Sequence, residues 1–310
     1  MATVGIIGVG LIGRAWANVF ARAGWNVQLW DPDAKALDAA PGLIEQALHD
    51  VAQHGLAKDP VAAAKRLRIA GSLEEAAQGA ELVQESGPER LDVKRDLFAK
   101  LDAAAAPSAI LATSSSFIVT SRFAEGLKGR HRCLVAHPVN PPHVVPIVEL
   151  SGAHFTAPET VARARAIFES VGQVPIVVKK EIDGFILNRM QAVLLSEAMR
   201  LVGGGYVSAE DLDKTIRDGL GLRWAFMGPF ETIELNAPGG IPDYCARYGE
   251  TLYRTSAEPV TPELWGKDNV ARAVESWGRA PSPDAILDKQ RWRDDRIAAL
   301  VAHKKAQPTS

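Results

Sequence analysis

Short apolar runs alternate with helix-period stretches through the first half of the chain. Val4–Ile7, Trp25–Trp30, Arg66–Ala70, Ala80–Gln84 and Ala109–Thr113 have the length and aliphatic content of strands. Between them, Arg14–Gly24 and Leu91–Ala106 read as helices, with Gly24 as a stop. Ser72 with Glu75 forms a capping box that opens another helix. Strand and helix in alternation predict a doubly wound, mostly parallel sheet with helices on both faces. Further on, His-Pro-Val-Asn-Pro-Pro (137–142) separates two apolar runs and reads as strand, tight turn, strand. That layout can bring His137 and Glu149 together, although they stand twelve positions apart. After Val174–Val178 the period changes. Met190, Val193, Leu194, Ala198 and Leu201 recur at helical spacing until Gly203–Gly205, and no strand alternation follows. The pattern therefore predicts an α/β domain over 1–183 and an all-α domain over 184–310, with the boundary near Asp183.

The first strand runs into Gly8-Val-Gly-Leu-Ile-Gly13. Gly8 permits the tight turn, Gly10 lets a pyrophosphate approach the backbone, and Gly13 lets the helix pack close to the strand. Leu11 and Ile12 complete the loop and turn the helix N-terminus toward the negative charge. The second strand ends at Asp31, where a carboxylate hydrogen-bonds the ribose 2′-OH of NAD and repels the extra phosphate of NADP. Together these residues predict a Rossmann-type domain that binds NAD. Gln84–Glu89 and Thr113–Ser116 fall at the carboxyl ends of strands, where such sheets bind ligands. The serines read equally well as a cofactor-facing cluster or as turn and cap residues. A histidine beside a carboxylate forms a tuned acid/base, the carboxylate orienting the ring and stabilising its charged form.

Composition narrows the classes. Lys and Arg number 35 against 37 Asp and Glu, a balance that offers no electrostatic case for nucleic acid or an anionic membrane. No apolar run is long enough to span a bilayer, and the first residues lack a signal-peptide layout. Cys133 and Cys245 read as buried, reduced thiols, which points to a cytoplasmic protein. No Cys/His cluster suggests a metal.

These strings together resemble the 3-hydroxyacyl-CoA dehydrogenase superfamily. The motifs are GVGLIG at 8–13, PERLDVK at 88–94, SSS at 114–116, AHPVNPP at 136–142, VEL at 148–150 and GFILNR at 184–189. Within the superfamily, GLGLRWAFMGPFETIELNA at 219–237, YCARY at 244–248 and QRWRD at 290–294 are similar to the lambda-crystallin, L-gulonate 3-dehydrogenase branch. The resemblance implies roles. His137 would be the general base that takes the proton of a 3-hydroxyl, paired with Glu149. Ser116 and Asn188 would hydrogen-bond the reacting oxygen. Glu89, Lys94 and Asn140 match positions lining the nicotinamide half of the cofactor site, although Lys94 also reads as an exposed helix lysine. His143 reads as a solvated loop residue. The acyl-CoA branch holds its carrier with a serine and a lysine on the helix after the second strand. Here those positions are Ala47 and His54.

Residues 219–231 are glycine-rich and apolar and read as a packed inter-helix loop, except for Arg223. A guanidinium there either grips the carboxylate of a small 3-hydroxy acid with two parallel bonds or pairs with Glu231 or Glu234. The expectation is an NAD-dependent dehydrogenase of a small 3-hydroxy acid, L-gulonate or a near relative. Its rivals are a 3-hydroxyacyl-CoA dehydrogenase, an L-carnitine dehydrogenase and a structural NAD-binding protein. The resemblance also implies a homodimer made through the helical domain.

Overall fold

The computed structural model describes residues 2–256, 258–278 and 282–307. They form two compact units, Met1–Arg189 with Leu287–Ser310, and Met190–Ile286. The first unit contains the sheet. Its elements are β1 (Thr3–Ile7), α1 (Leu11–Arg22), β2 (Asn26–Trp30), α2 (Ala34–Ala52), α3 (Pro60–Ala64), β3 (Leu67–Ile69), α4 (Leu73–Ala77) and β4 (Leu82–Glu85). They continue with α5 (Leu91–Ala104), β5 (Ile110–Thr113), α6 (Thr120–Ala124), β6 (Cys133–Pro138), β7 (Ile147–Gly152), α7 (Pro158–Ser170) and β8 (Val174–Val178).

The strand order is β3-β2-β1-β4-β5-β6-β7-β8. β1 to β6 are parallel, β7 runs antiparallel to β6, and β8 is parallel to β7. The order reverses between β1 and β4, which makes their carboxyl ends the ligand crevice of a doubly wound sheet. Both faces are covered. Val4, Ile6, Leu29, Leu82 and Leu134 pack under α1, α2 and α7, with Trp16, Phe20 and Phe168 in mutual ring contact. Ile7, Val83, Leu111 and Val135 face α4, α5 and α6 on the other side. Burial on both faces explains why these strands read as continuous apolar runs. At the start of α4 the Ser72 cap forms as expected, but Glu75 reaches one residue further back than a capping box requires. Ser72 Oγ accepts from the Glu75 N–H at 3.1 Å, while the Glu75 carboxylate reaches back to the Gly71 N–H at 2.7 Å.

The segment between β6 and β7 is longer than the tight turn expected. Residues 139–146 connect the strands, and the antiparallel register still sets His137 opposite Glu149. The chain then enters α8 (Leu187–Gly203), which begins in the first unit. The final helix, α14 (Pro283–Ala306), contributes its residues from Leu287 onward to that same unit. Ala298 and Ile297 pack against Val51, Ala57 and Val144, and His54 Nε2 lies 2.7 Å from Asp295 Oδ1. The division thus falls at 189/190 with a returning helix, where the pattern reading set a single boundary at 183/184. Helical periodicity marks a helix but not the body it packs on.

The second unit is helical, with α9 (Ala209–Lys214), α10 (Gly221–Trp224), α11 (Pro229–Glu234), α12 (Gly240–Ser256) and α13 (Lys267–Trp277) following the rest of α8. Asn269 is buried and donates from Nδ2 to the carbonyls of Met199 (3.1 Å) and Leu264 (2.9 Å), tying α13 to α8. The apolar positions that announce α8 are not core in the single chain. Met190 is 60 % exposed and Val193 69 %, and Phe230 and Leu235 are exposed as well. Residues 219–231 are not a loop. A π-helical turn over Thr215–Leu220 runs into α10 and, beyond Gly228, α11.

Candidate functional site

At the end of β1 the glycine loop does what its spacing requires. Gly8 has φ 90°, and a Cβ there would stand 2.9 Å from the Ser86 backbone. A Cβ on Gly13 would meet the Gly8 carbonyl oxygen at 1.8 Å, so only glycine lets α1 pack this close. A Cβ on Gly10 would meet nothing within 4 Å, so the space over the loop is open for a phosphate group. Leu11 and Ile12 head α1, with their N–H ends toward that space. Asp31 also braces the loop. Its Oδ2 accepts from the Val9 N–H at 2.8 Å and its Oδ1 from the Asp33 N–H at 2.9 Å. Each carboxylate oxygen retains a second lone pair for a ribose hydroxyl. The loop, the open helix end and the acid fit the dinucleotide that the spacing predicts.

The ends of β4 and β5 are locked by charge. Lys94 is not the exposed helix lysine of the plainer reading. It is 1 % exposed, and its Nζ donates to Glu85 Oε2 at 2.7 Å and to Thr113 Oγ1 at 3.1 Å. Thr113 Oγ1 donates to the same Glu85 oxygen at 2.5 Å, and Glu85 Oε1 accepts from the Gly87 N–H at 2.6 Å. A buried ion pair survives when its remaining valences are satisfied in this way. Glu85 and Thr113 lie within the strand-end segments expected to face a ligand, but neither had a role of its own in that reading. Their signal was a charged or hydroxyl group closing an otherwise apolar strand.

Ser114 and Ser115 are both engaged within the protein. Ser114 Oγ joins Trp16 Nε1 (3.0 Å), Gln84 Nε2 (2.8 Å) and Ser86 Oγ (2.9 Å). Ser115 Oγ donates to Glu89 Oε1 at 2.5 Å and accepts from the Ile118 N–H at 2.8 Å, a turn role. Glu89 Oε1 also accepts from the N–H groups of Phe117 and Ile118. Burial works to raise the Glu89 carboxyl, but the Ser115 hydrogen bond, the two N–H groups and the Lys94 charge hold it below the ordinary value. Glu89 thus braces the segment that presents Ser116, whose hydroxyl has no hydrogen-bond partner among the described residues.

His137 and Glu149 form the centre of the arrangement. The first is 5 % exposed and the second 1 %, with His137 Nδ1 and Glu149 Oε2 2.8 Å apart. Glu149 Oε1 accepts from the backbone N–H groups of Ile186 (2.9 Å) and Leu187 (3.1 Å) at the start of α8. Both carboxylate oxygens act as acceptors, so the ring hydrogen belongs on Nδ1 and the lone pair on Nε2. One residue into α8, Asn188 Nδ2 donates to the Ser116 carbonyl at 2.9 Å. Ser116, His137, Glu149 and Asn188 are therefore linked through short contacts around one helix start. Asn140 is exposed in the 139–146 connection beyond β6.

Three expectations are corrected. His143 is not solvated. Its carbonyl accepts from Arg22 Nη1 at 2.8 Å, and its Nδ1 is buried without a partner among the described residues. Burial, then the charges of Arg22 and Arg293, bring its imidazole down to about 4. Cys133 is buried as expected, but Cys245 is exposed. Arg223 lies exposed on α10 of the second unit and forms no ion pair with Glu231 or Glu234 among the described residues, so the structural pairing does not occur. The remaining candidate residues all belong to the first unit. No group of three metal-ligating side chains occurs among the described residues, and no helix there is long and apolar enough to cross a membrane.

Comparison with known proteins agrees with this architecture. Residues 3–182 match the family model for the 3-hydroxyacyl-CoA dehydrogenase NAD binding domain, and residues 184–274 match the model for its C-terminal domain. Lambda-crystallin of Oryctolagus cuniculus is 40 % identical, over 97 % of this chain and 95 % of its own length. L-carnitine dehydrogenase of Pseudomonas putida is 36 % identical, over 99 % and 95 %. Among solved structures, an NAD⁺-dependent 5-formyl-3-hydroxy-2-methylpyridine 4-carboxylic acid 5-dehydrogenase superposes with a TM-score of 0.86 at 27 % identity, covering 99 % of this chain and all of that one.

Proposed function

The chain belongs to the 3-hydroxyacyl-CoA dehydrogenase family of NAD-dependent oxidoreductases, and from that premise we propose that it oxidises the 3-hydroxyl of a small free 3-hydroxy acid, L-gulonate to 3-dehydro-L-gulonate. The observation that carries the reading is the 2.8 Å His137–Glu149 contact, which leaves Nε2 as the basic atom. NAD, when bound, accepts a hydride. His137 Nε2 takes the hydroxyl proton as the C–H bond breaks and the carbonyl forms, and Glu149 stabilises the resulting imidazolium. The Ser116 hydroxyl and the Asn188 amide supply donors for the developing carbonyl oxygen. Gly8, Gly10, Leu11, Ile12, Gly13 and Asp31 would hold the pyrophosphate and adenosine ribose. Glu89, Lys94 and Asn140 shape the nicotinamide end, Lys94 from beneath through Glu85.

Several observations favour a free acid over a CoA thioester. Where the acyl-CoA branch carries a lysine, this chain has His54 bound to Asp295. The cavity of about 420 Å³ beside it has Ala47 in place of that branch's serine, and its charged lining is mixed, Arg14 and Arg291 among Asp50, Asp294 and Asp295. The names of two relatives describe dehydrogenases of free carboxylic acids, carnitine and a pyridine carboxylic acid. Arg223, unpaired with the nearby acids in sequence, is the proposed carboxylate grip, and Arg223→Lys should raise KM for the acid at least ~10-fold. L-Carnitine is the second reading, favoured by the 36 % identity to its dehydrogenase. The linked Ser116, His137, Glu149 and Asn188 speak against a purely structural role. NADH formation with L-gulonate, L-carnitine, 3-hydroxybutyrate and 3-hydroxybutyryl-CoA tests the choice. The highest kcat/KM should go to L-gulonate, and preference for the thioester would overturn it.

The apolar face of the second unit would take a second copy of this chain, as the superfamily resemblance implies for the helical domain. Met190 and Val193 of α8 and Tyr253 of α12 are each exposed in the single chain. Exposed apolar surface of this kind marks an association site.

A further inference from the structure

The chain enters α8 through two successive residues in the left-handed region, Gly184 (φ 77°) and Phe185 (φ 49°). Glycine adopts this conformation freely, whereas a bulky side chain holds it only where its surroundings over-determine it. Phe185 is the one non-glycine residue with positive φ among the described residues, and it is fully buried. Two things depend on it. Its N–H closes a turn onto the Ile182 carbonyl at 3.1 Å, and the next two N–H groups, of Ile186 and Leu187, fall on Glu149 Oε1. Its ring packs on the His137 imidazole, with centroids 5.4 Å apart and planes inclined by 37°. Backbone and ring of one residue thus act on the two members of the pair separately.

We propose that Phe185 is a positioning residue for the His137–Glu149 pair, its left-handed backbone anchoring the carboxylate to the start of α8 and its ring holding the imidazole in register. The inference rests on His137 being the base. With Oε1 held by two N–H groups, Oε2 alone remains to orient Nδ1. The ring then blocks the flip that would present Nδ1 in place of Nε2. The same turn fixes Asn188, one residue beyond Leu187, on the Ser116 carbonyl.

Two readouts test this. In protein labelled with ¹⁵N-histidine, the His137 ring nitrogens, assigned by their loss in His137→Gln, report the tautomer without any substrate. The wild-type protein and Phe185→Leu should show hydrogen on Nδ1 and a bare Nε2. Phe185→Ala, which removes the ring and keeps the strain, should show mixed tautomers. Its kcat with the preferred acid should fall about 10- to 100-fold, with the KM for NAD within about twofold, and Phe185→Leu should recover most of the rate. A wild-type tautomer retained in Phe185→Ala, or a kcat within about twofold of wild type, overturns the proposal. If Phe185→Ala does not fold, Phe185→Gly, which accepts φ 49° without strain, is read by the same two criteria. Absence of activity with every acid would refute the substrate reading and leave the tautomer test standing.

Discussion

Both oxygens of Glu149 are occupied by donors, one from a histidine ring and two from the first turn of a helix. The carboxylate is therefore a fixed acceptor, which gives His137 one tautomer and one basic nitrogen. The pair was legible in the sequence as two residues that a strand-turn-strand layout can bring together, although the tight turn expected there did not fix their register. The anchor on α8 was not, since nothing in the string GFILNR states that Phe185 adopts φ 49°. Lys94 shows the same limit. Its position in a helix reads as exposed, and only the fold reveals Glu85 and Thr113 beneath it. His143 yields a pH prediction. Its imidazole is lowered from 6.5 to about 4 by burial and by Arg22 and Arg293. As pH falls from 6.5 toward 4 the unfolded chain takes up a proton that the native protein refuses, so stability is lost on acidification through that window. The loss is on the order of 3 kcal/mol when complete. Urea melts of His143→Gln should show a flatter decline between pH 6.5 and 4.5 than wild type, and an identical slope would refute this.

Among the elements, the β1–α1 loop separates ligand binding from packing. Gly10 has open space at its Cβ position, whereas Gly13 would drive a methyl group into the Gly8 carbonyl. Gly10→Ala should keep the melting temperature within about 2 °C of wild type while weakening NAD binding, because the methyl group occupies the phosphate approach. Gly13→Ala should lower the melting temperature by several degrees, since a backbone clash forces α1 off the sheet; about 1 kcal/mol moves a midpoint by a few degrees. Equal melting temperatures in the two variants would contradict the assignment. α14 was covered only by the general expectation of a helical second domain, not as part of the first unit. Its Ala298 contact with Val51, Ala57 and Val144 is long-range in sequence and leaves no local pattern. The 139–146 connection was misread as a tight turn because Pro-Pro marks a break in regular structure but not the length of the segment that follows.

For the whole molecule, the two units differ in how well each satisfies itself. The sheet unit buries large side chains on both faces, while the helical unit leaves Met190, Val193, Phe230 and Leu235 exposed in the single chain. Sedimentation equilibrium should return twice the chain mass, and Val193→Glu should shift the protein toward single chains. A monomeric wild-type protein would refute the pairing. The function proposed needs both a dinucleotide on the sheet unit and a base at the end of β6, and these two requirements are separable in one variant. Replacing His137 by Gln keeps a polar side chain and removes the basic nitrogen, without touching the glycine loop or Asp31. The most direct test measures kcat for the preferred 3-hydroxy acid and, by fluorescence titration, the Kd for NADH in His137→Gln. A fall in kcat of about 10²- to 10⁴-fold with Kd within about twofold of wild type is the predicted result. A kcat within about threefold of wild type would show that the His137–Glu149 pair is not the base.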